Sequence, residues 1–220
     1  ISDSHFVDAG ATMMETADEV WSTSELIVKV KEPIAAEYDR IQNGQLIYTY
    51  FHLAAVPELA EVLIKKEVSA VAYETIQLAD GSLPLLHPMS EVAGKMAPQV
   101  GSACLQKEHG GRGVLLGGIP GVGRGKVVIL GAGTVGANAA KIALGMGADV
   151  TILDVNIRRL NYLEEVFGSR LKTRFSDAES IDELVLDADL VIGAVLIAGA
   201  KAPQLINRGH LKRMNDGAVV

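Results

Sequence analysis

The hydrophobic pattern of the first 87 residues alternates between short apolar runs and helix-like segments. A helix-like stretch at 34–39 follows the first run, and a helix that begins at Pro57 follows the second. Strands that alternate with helices form βαβ units, in which the strands are parallel. The pattern therefore predicts a parallel sheet with strands at 26–30, 45–51 and 68–73.

A long helix and a glycine-rich segment follow this sheet. Residues 90–109 predict one helix, in which Pro98 is expected to cause a kink or a break because it cannot donate the helical hydrogen bond. Eight glycines fall between residues 110 and 125, which predicts a flexible or tightly turned connection. We place the domain boundary at the start of the helix, which gives domains at 1–87 and 88–220.

The alternation becomes stricter from Lys126 onward. It predicts strands at 126–130, 149–154, 171–175 and 190–195, and helices at 134–146, 157–167 and 180–186. The whole chain is therefore predicted to be an α/β protein. It would contain two Rossmann-like domains with mostly parallel sheets, joined by the long helix.

Composition narrows the class of protein. The 220 residues are 49% hydrophobic and 21% charged, which is enough apolar material for buried cores. A net charge of −7 argues against a nucleic-acid partner, which requires a basic surface. The single cysteine, Cys104, excludes an internal disulfide and fits a reducing compartment. No apolar run approaches the roughly 20 residues of a membrane helix, so we expect a cytoplasmic protein without a membrane partner.

The two ends of the chain carry a further expectation. The first residue is Ile1, and the last four residues, Gly-Ala-Val-Val, resemble the opening of a strand. We expect the sequence to be an interior part of a longer chain. The first domain would then be partial, and the second would be truncated on its C-terminal side.

A G-x-G-x-x-G pattern lies between a predicted strand and a predicted helix at 131–136. Gly131 permits the tight turn, Gly133 leaves room for a pyrophosphate, and Gly136 lets the helix pack against the strand. The phosphates would lie at the positive end of the helix that begins at Thr134. The pattern predicts a bound dinucleotide. The alternative is a glycine-lined turn of an α/β protein that binds none.

An acidic residue, Asp154, ends the next predicted strand, 23 residues after Gly131. A carboxylate at this position accepts hydrogen bonds from the adenosine ribose hydroxyls and repels a 2′-phosphate, which favours NAD over NADP. Arg158 and Arg159 lie about one helical turn later. They weaken that preference, because a guanidinium can bind a 2′-phosphate.

Polar residues follow the three strands of the first domain, at the edge of a parallel sheet where ligands bind. Lys31 follows the first strand, His52 the second and Glu74 the third. A lysine can hold a substrate carboxylate or polarise a carbonyl, and a histidine serves as general acid and base near neutral pH. Each residue has a structural alternative. Lys31 can be a surface residue, His52 a cap of its strand end, and Glu74 an acid that orders the edge or pairs with Lys31.

Several sequence strings, taken in order, resemble the alanine dehydrogenase family. The resemblance runs essentially from end to end of the chain and keeps the order of the strings, which makes it more specific than the glycine pattern alone. The strings are VKVKEP at 28–33, YFHLAA at 50–55, AYET at 72–75, LPLL at 83–86, PMSEVAG at 88–94 and GGRGVLLGG at 110–118.

The resemblance implies an NAD-dependent oxidoreductase that converts L-alanine to pyruvate and ammonium, and back. It implies that Lys31 binds the substrate carboxylate and carbonyl, that His52 is the catalytic acid and base, and that the protein is a homohexamer. Glu74 matches a position that contacts a metal in some members, and the family usually has Lys in place of Arg159. With the glycine pattern, the expected cofactor-binding residues are Ser90, Gly131, Gly133, Thr134, Val135, Gly136, Asp154, Arg159, Ser176, Val195 and Leu196.

Two other functions remain open at this point. The nucleotide-binding component of a proton-translocating transhydrogenase shares the two-domain plan but needs no amino-acid pocket, so Lys31 and His52 argue against it. A catalytically silent NAD-sensing module carries the glycine pattern and the acidic residue, but no second domain with a polar edge. Protection of the protein by pyruvate against proteolysis would separate the dehydrogenase from the transhydrogenase component.

Overall fold

The computed structural model describes residues 1–197 and 202–220. The chain divides into two compact units, Ile1–Leu86 and His87–Val220. Each unit is built on a parallel sheet, as the alternation of strands and helices predicts. The chain is therefore an α/β protein.

The first unit contains a three-stranded parallel sheet with the strand order β1-β2-β3. In its register, Ile27 lies opposite Ile47, which lies opposite Ala70. The elements of this unit are β1 (Leu26–Val28), β2 (Leu46–Thr49), β3 (Ser69–Ala72), α1 (Asp3–Asp8), α2 (Ala17–Thr23) and α3 (Pro57–Lys65).

One face of this sheet packs against α2 and α3. Pro57 begins α3 at a position where its missing N–H costs no helical hydrogen bond. The buried side chains that form the core are Trp21, Ile27, Ile41, Ile47, Phe51, Leu59 and Leu63. Phe51, two residues after the end of β2, is completely buried. Its burial fixes the course of the chain at the point where His52 follows.

Part of the first unit differs from the sequence prediction. Segment 34–39 is not an α-helix: residues Ala35–Arg40 form a 3₁₀ helix, and the Glu37 amide donates to the Ile34 carbonyl at 2.7 Å. The Glu37 carboxylate accepts from the Ile34 amide at 2.9 Å and from Lys29 Nζ at 2.6 Å, which holds this short segment in a tight turn. Helices α1 and α2 are additional to the predicted elements.

The second unit contains a four-stranded parallel sheet with the strand order β6-β5-β4-β7. Strands β4, β5 and β6 and helix α6 have the predicted bounds, whereas β7 ends at Gly193, two residues earlier than expected. The elements are β4 (Lys126–Leu130), β5 (Asp149–Asp154), β6 (Leu171–Phe175), β7 (Leu190–Gly193), α4 (His87–Cys104), α5 (Thr134–Gly145), α6 (Ile157–Phe167), α7 (Ala178–Asp187) and α8 (Arg208–Leu211).

Helix α4 differs from its prediction at both ends and at the proline. It begins at His87 rather than at residue 90, ends at Cys104 rather than at 109, and continues through Pro98 without a break. Its buried face consists of small residues, because α4 packs closely on α5: a Cβ added to Gly94 would lie 2.3 Å from the Val135 carbonyl oxygen. Among the residues that the structure describes, no helix is both long and apolar enough to cross a membrane.

Candidate functional site

The glycine-rich turn joins β4 to α5 in the second unit. Gly131 has φ +107°, a conformation that residues with a side chain rarely adopt. A Cβ on Gly136 would lie 1.8 Å from the Gly131 carbonyl oxygen, so any side chain there would push the helix away from the strand. The turn thus has the tight bend and the close helix packing that the sequence predicts.

Asp154 lies at the end of β5, and both of its carboxylate oxygens are engaged. Oδ2 accepts from the Ala132 amide at 2.6 Å, and Oδ1 accepts from the Asn156 amide at 2.8 Å. The first bond ties the acid directly to the glycine-rich turn. Each carboxylate oxygen has a further lone pair with which to accept a hydroxyl hydrogen.

Arg159 also contacts the turn. Its Nε donates to the Ala132 carbonyl at 2.7 Å, and its guanidinium lies 4.9 Å from the centre of the Tyr162 ring. The neighbouring Arg158 is exposed. Of the two arginines that follow Asp154, Arg159 is therefore the one fixed beside the glycine-rich turn.

The start of α5 can accommodate an anionic group. A helix N-terminus carries amide N–H groups that have no partner within the helix, together with the positive end of the helix dipole. The N-cap residue is Gly133, and a Cβ built there would meet no atom of the described chain within 4 Å. A pyrophosphate can therefore approach this backbone, and the residues present fit a dinucleotide cofactor.

The other expected cofactor-binding residues lie at or near the same end of the second sheet. Ser90 is in the first turn of α4, whose His87 Nδ1 lies 3.4 Å from the Thr134 hydroxyl. The Ser176 amide donates to the Asp154 carbonyl at 3.1 Å. Val195 and Leu196 follow β7, and Leu196 is exposed. These positions gather around the carboxyl ends of β4, β5, β6 and β7.

In the first unit, the polar residues also follow the carboxyl ends of parallel strands. The Glu74 carboxylate reaches from the end of β3 to the end of β2, where Oε1 accepts from the Phe51 amide at 3.1 Å and from the His52 amide at 2.8 Å. The His52 side chain is exposed, and its ring lies parallel to that of Tyr50, with ring centroids 6.3 Å apart. The Tyr50 hydroxyl donates to the Leu85 carbonyl at 2.5 Å.

Lys31 follows β1 and remains accessible. Its Nζ lies 3.6 Å from the carboxylate of the adjacent Glu32, and 62% of its side chain is exposed. It pairs with Glu32 rather than with Glu74, so one of the two sequence interpretations of Glu74 was wrong. The other, that Glu74 orders the edge of the sheet, agrees with its hydrogen bonds to two backbone amides.

Sequence reasoning missed a cluster of tyrosines beside His52. The ring of Tyr73 meets those of Tyr48 and Tyr50 edge-on, with centroid distances of 4.2 and 4.9 Å. Burial, and then the proximity of the other two phenols, raises the pKa of Tyr73 above its ordinary value. The sequence signal is the spacing of Tyr48, in β2, and Tyr50, directly after it, because alternate residues of an extended chain share one face.

The metal interpretation of Glu74 receives no support from neighbouring ligands. Across residues 1–197 and 202–220, no three His, Cys, Asp or Glu side chains are arranged so that they could hold a metal ion. The described contacts of the Glu74 carboxylate are instead with backbone amides of the preceding strand end.

The geometry of the second unit defines a class of protein. A glycine-rich turn after the first strand of a parallel α/β unit, with a carboxylate at the end of the next strand, is typical of dinucleotide-binding domains. The family model described as the alanine dehydrogenase/PNT N-terminal domain matches residues 1–93, and the one described as the C-terminal domain matches residues 97–220. The chain belongs to the alanine dehydrogenase/PNT family, which implies a nicotinamide cofactor.

Individual relatives agree with this assignment. The chain is 53% identical over 220 residues to an alanine dehydrogenase of Methanococcus maripaludis and 52% identical to one of Mycolicibacterium smegmatis. All of this chain is covered in both comparisons, but it spans only 59% of the length of each relative.

Comparison with solved structures also finds an alanine dehydrogenase. One described as L-alanine dehydrogenase matches with a TM-score of 0.86 and 50% identity, covering all of this chain and 61% of the other. A transhydrogenase from Sinorhizobium meliloti matches with a TM-score of 0.73, covering all of this chain and 64% of the other. At 23% identity, this second match shows only that the two share a fold.

Proposed function

We propose that the protein containing this chain catalyses the reversible, NAD-dependent oxidative deamination of L-alanine. In the forward direction, L-alanine, NAD⁺ and water give pyruvate, ammonium, NADH and a proton. The observation that carries the proposal is an identity of 52–53% with proteins named alanine dehydrogenase along the entire chain. Lys31 and His52 of the first unit and the glycine-rich turn of the second unit supply the residue types that this reaction needs.

The first unit is proposed to bind and process the substrate. Lys31 carries an accessible ammonium group, which suits a substrate carboxylate and carbonyl. His52 carries an exposed imidazole, which exchanges protons near neutral pH. His52 would accept a proton from the water that attacks the imine carbon, and would return a proton when the carbinolamine expels ammonia.

The second unit is proposed to bind the cofactor as a Rossmann-like domain, with α4 joining it to a Rossmann-like first unit. When bound, the nicotinamide accepts a hydride from the α-carbon of alanine. NAD rather than NADP is proposed because the Asp154 carboxylate is fixed beside the turn, where it would repel a 2′-phosphate. The residues proposed to contact the cofactor are Ser90, Gly131, Gly133, Thr134, Val135, Gly136, Asp154, Arg159, Ser176, Val195 and Leu196.

We also propose that the protein is cytoplasmic and assembles as a homohexamer. The single cysteine supports a reducing compartment, and the family resemblance supports the assembly. Light scattering of the purified full-length protein measures the number of subunits. A mass of one or two subunits would contradict the hexamer while leaving the proposed reaction unaffected.

The proposed reaction is tested by following NADH absorbance in the full-length protein with pyruvate and ammonium, and then with each substrate omitted. Oxidation that requires both substrates is expected. If NADH binds but is not oxidised, the transhydrogenase component or the NAD-sensing module replaces the dehydrogenase as the better explanation.

The role of His52 needs its own variant. His52 has a left-handed backbone, with φ +50°, which Asn tolerates better than Ala does. The His52→Asn variant therefore removes the imidazole with little added backbone strain. It should lose at least about 100-fold in turnover and still bind NADH. Turnover at the wild-type rate would refute the role assigned to His52.

A further inference from the structure

Glu74 joins two neighbouring strand ends in the first unit. Strands β2 and β3 are paired in parallel up to Thr49 and Ala72. Beyond that pair, the sheet has ended, but the Glu74 side chain continues the connection by accepting from the Phe51 and His52 amides. One carboxylate thus takes the place of the next hydrogen bonds between the strands.

The chain at His52 has a conformation that needs such support. His52 has φ +50° and ψ +36°, in the left-handed region that non-glycine residues rarely adopt. The following 3₁₀ turn, Leu53–Ala55, is closed by a hydrogen bond from the Ala55 amide to the His52 carbonyl at 2.8 Å. The His52 peptide is therefore held on both sides, with Glu74 on its amide and the turn on its carbonyl.

The side-chain direction of His52 follows from this backbone. Phe51 is completely buried and anchors the chain just before His52. The left-handed backbone of His52 then turns the chain, and its imidazole is left exposed beside Tyr50. If the two amides lost their acceptor, the residue could relax to the common right-handed or extended regions. The imidazole would then point elsewhere, with little change to the core beneath it.

We propose that Glu74 is a positioning residue for His52. Its carboxylate holds the left-handed turn that presents the imidazole to the substrate, and it takes no part in proton transfer. This inference rests on the proposed function, because it assumes that His52 is the acid and base of the reaction. In this role, the essential properties of Glu74 are the length of its side chain and an oxygen that accepts the two hydrogen bonds. Its negative charge is not essential.

The test compares three variants in the full-length protein. Glu74→Gln keeps the side-chain length and one acceptor oxygen but loses the charge. Glu74→Asp keeps the charge but is one methylene shorter. Glu74→Ala removes the charge and the acceptor oxygens. We expect Glu74→Gln to stay within about 3-fold of the wild-type kcat, and the Asp and Ala variants to lose about 10- to 100-fold, the usual cost of a misplaced catalytic group. The NADH dissociation constant should not change in any of them.

Glu67 supplies a matched control. It is also a non-glycine residue with a left-handed backbone, at φ +53°, and it lies in the same unit. The Glu67→Ala variant should retain the wild-type kcat. Thermal melting of each variant checks that it folds. If Glu74→Ala fails to fold, the comparison of Gln with Asp decides, because both keep a polar side chain that can accept a hydrogen bond.

The outcomes separate the two proposals. A Glu74→Asp variant that is as active as Glu74→Gln or more so would overturn the positioning role, since the reach of the side chain would then not be essential. So would a Glu74→Ala variant with the wild-type kcat in a protein where His52→Asn is inactive. An active His52→Asn variant would instead refute the catalytic role of His52 itself.

Discussion

The Asp154 carboxylate accepts a hydrogen bond from the Ala132 amide at 2.6 Å, and this bond links the end of β5 to the glycine-rich turn. Arg159 donates to the carbonyl of the same residue at 2.7 Å. Both polar groups of Ala132 are therefore held by side chains from the β5–α6 region. The acid supports the shape of the turn in addition to any contact that it makes with a ribose.

Two variants of Asp154 should separate these roles. Asp154→Asn keeps an acceptor for the Ala132 amide but removes the charge, so NADPH binding should improve relative to NADH. Asp154→Ala removes the acceptor as well, so it should weaken NADH binding by about 10-fold or more, since hydrogen bonds to charged groups contribute about 1.5–3 kcal/mol. Fluorescence titrations with both nucleotides measure this. Equal NADH dissociation constants in the two variants would contradict a supporting role.

Two glycines of α5 provide a matched pair. Gly136→Ala would place a Cβ 1.8 Å from the Gly131 carbonyl oxygen, whereas a Cβ on Gly145 meets no described atom within 4 Å. We expect Gly136→Ala to destabilise the protein by about 2 kcal/mol or more and to weaken NADH binding. Gly145→Ala should be neutral or stabilising by up to about 1 kcal/mol. Urea denaturation of the two variants checks the difference, and similar stabilities would show that the turn can relax.

An ion pair between the half-buried Arg112 and the buried Asp189 connects the glycine-rich segment to the amino ends of the second sheet. Asp189 is 7% exposed and accepts from Arg112 Nη1 at 2.6 Å and from the Lys126 amide at 2.8 Å. Asp189→Asn leaves the guanidinium partly buried without its counter-ion and should cost about 3 kcal/mol. The control is Asp187→Asn, because Asp187 pairs with Lys126 at an exposed position and should change stability by less than about 0.5 kcal/mol. Equal losses would contradict this explanation.

Stability of the first unit should depend on pH through Glu37. Burial alone would raise the pKa of Glu37, but hydrogen bonds from Lys29 and from the Ile34 amide outweigh it, so the pKa lies below its ordinary value. A lowered folded-state pKa stabilises the protein above the unfolded-state value, which is about 4.3 for Glu. That stabilisation is lost as the pH falls through the folded-state pKa.

The variant that tests this dependence is Glu37→Gln. It should be less stable than the wild type by about 1–2 kcal/mol at pH 7, and the difference should shrink as the pH falls below the unfolded-state pKa and through the lowered folded-state pKa. Trp21, the single tryptophan of these 220 residues, is buried near Lys29, so its fluorescence reports unfolding of this unit. A difference that stays constant from pH 7 down to the lowest pH at which the unit remains folded would contradict the assignment to Glu37 ionisation.

The sequence predicted some elements better than others, for physical reasons. The bounds of β4, β5 and α6 follow from runs of apolar residues and from the turns between them, which are local properties. Helix α2 was missed although Thr16 and Glu19 form a capping box at its start, a signal that a sequence does carry. Segment 34–39 has helix-forming residues, but Lys29 and Glu37 draw it into a 3₁₀ turn.

Helix α4 shows where periodicity misleads. Its apolar residues Val92, Met96 and Val100 recur every four positions, yet all three are exposed in this chain. The buried face is made of Gly94, Pro98 and Gly101, because the helix lies so close to α5 and β7 that only small side chains fit. A pattern of hydrophobic residues does not predict a helix face that is buried because its side chains are small.

Local patterns were sufficient for the α/β class, the glycine-rich turn and the residues that follow each strand, since alternation and glycine spacing are written in consecutive residues. The partners of Glu74 and Asp154 depended on the folded chain. Each carboxylate binds backbone amides 22 or 23 residues away, and strand pairing brings those amides within reach. A side chain's type is encoded at its own position, but the groups that it meets are set by the register of neighbouring strands.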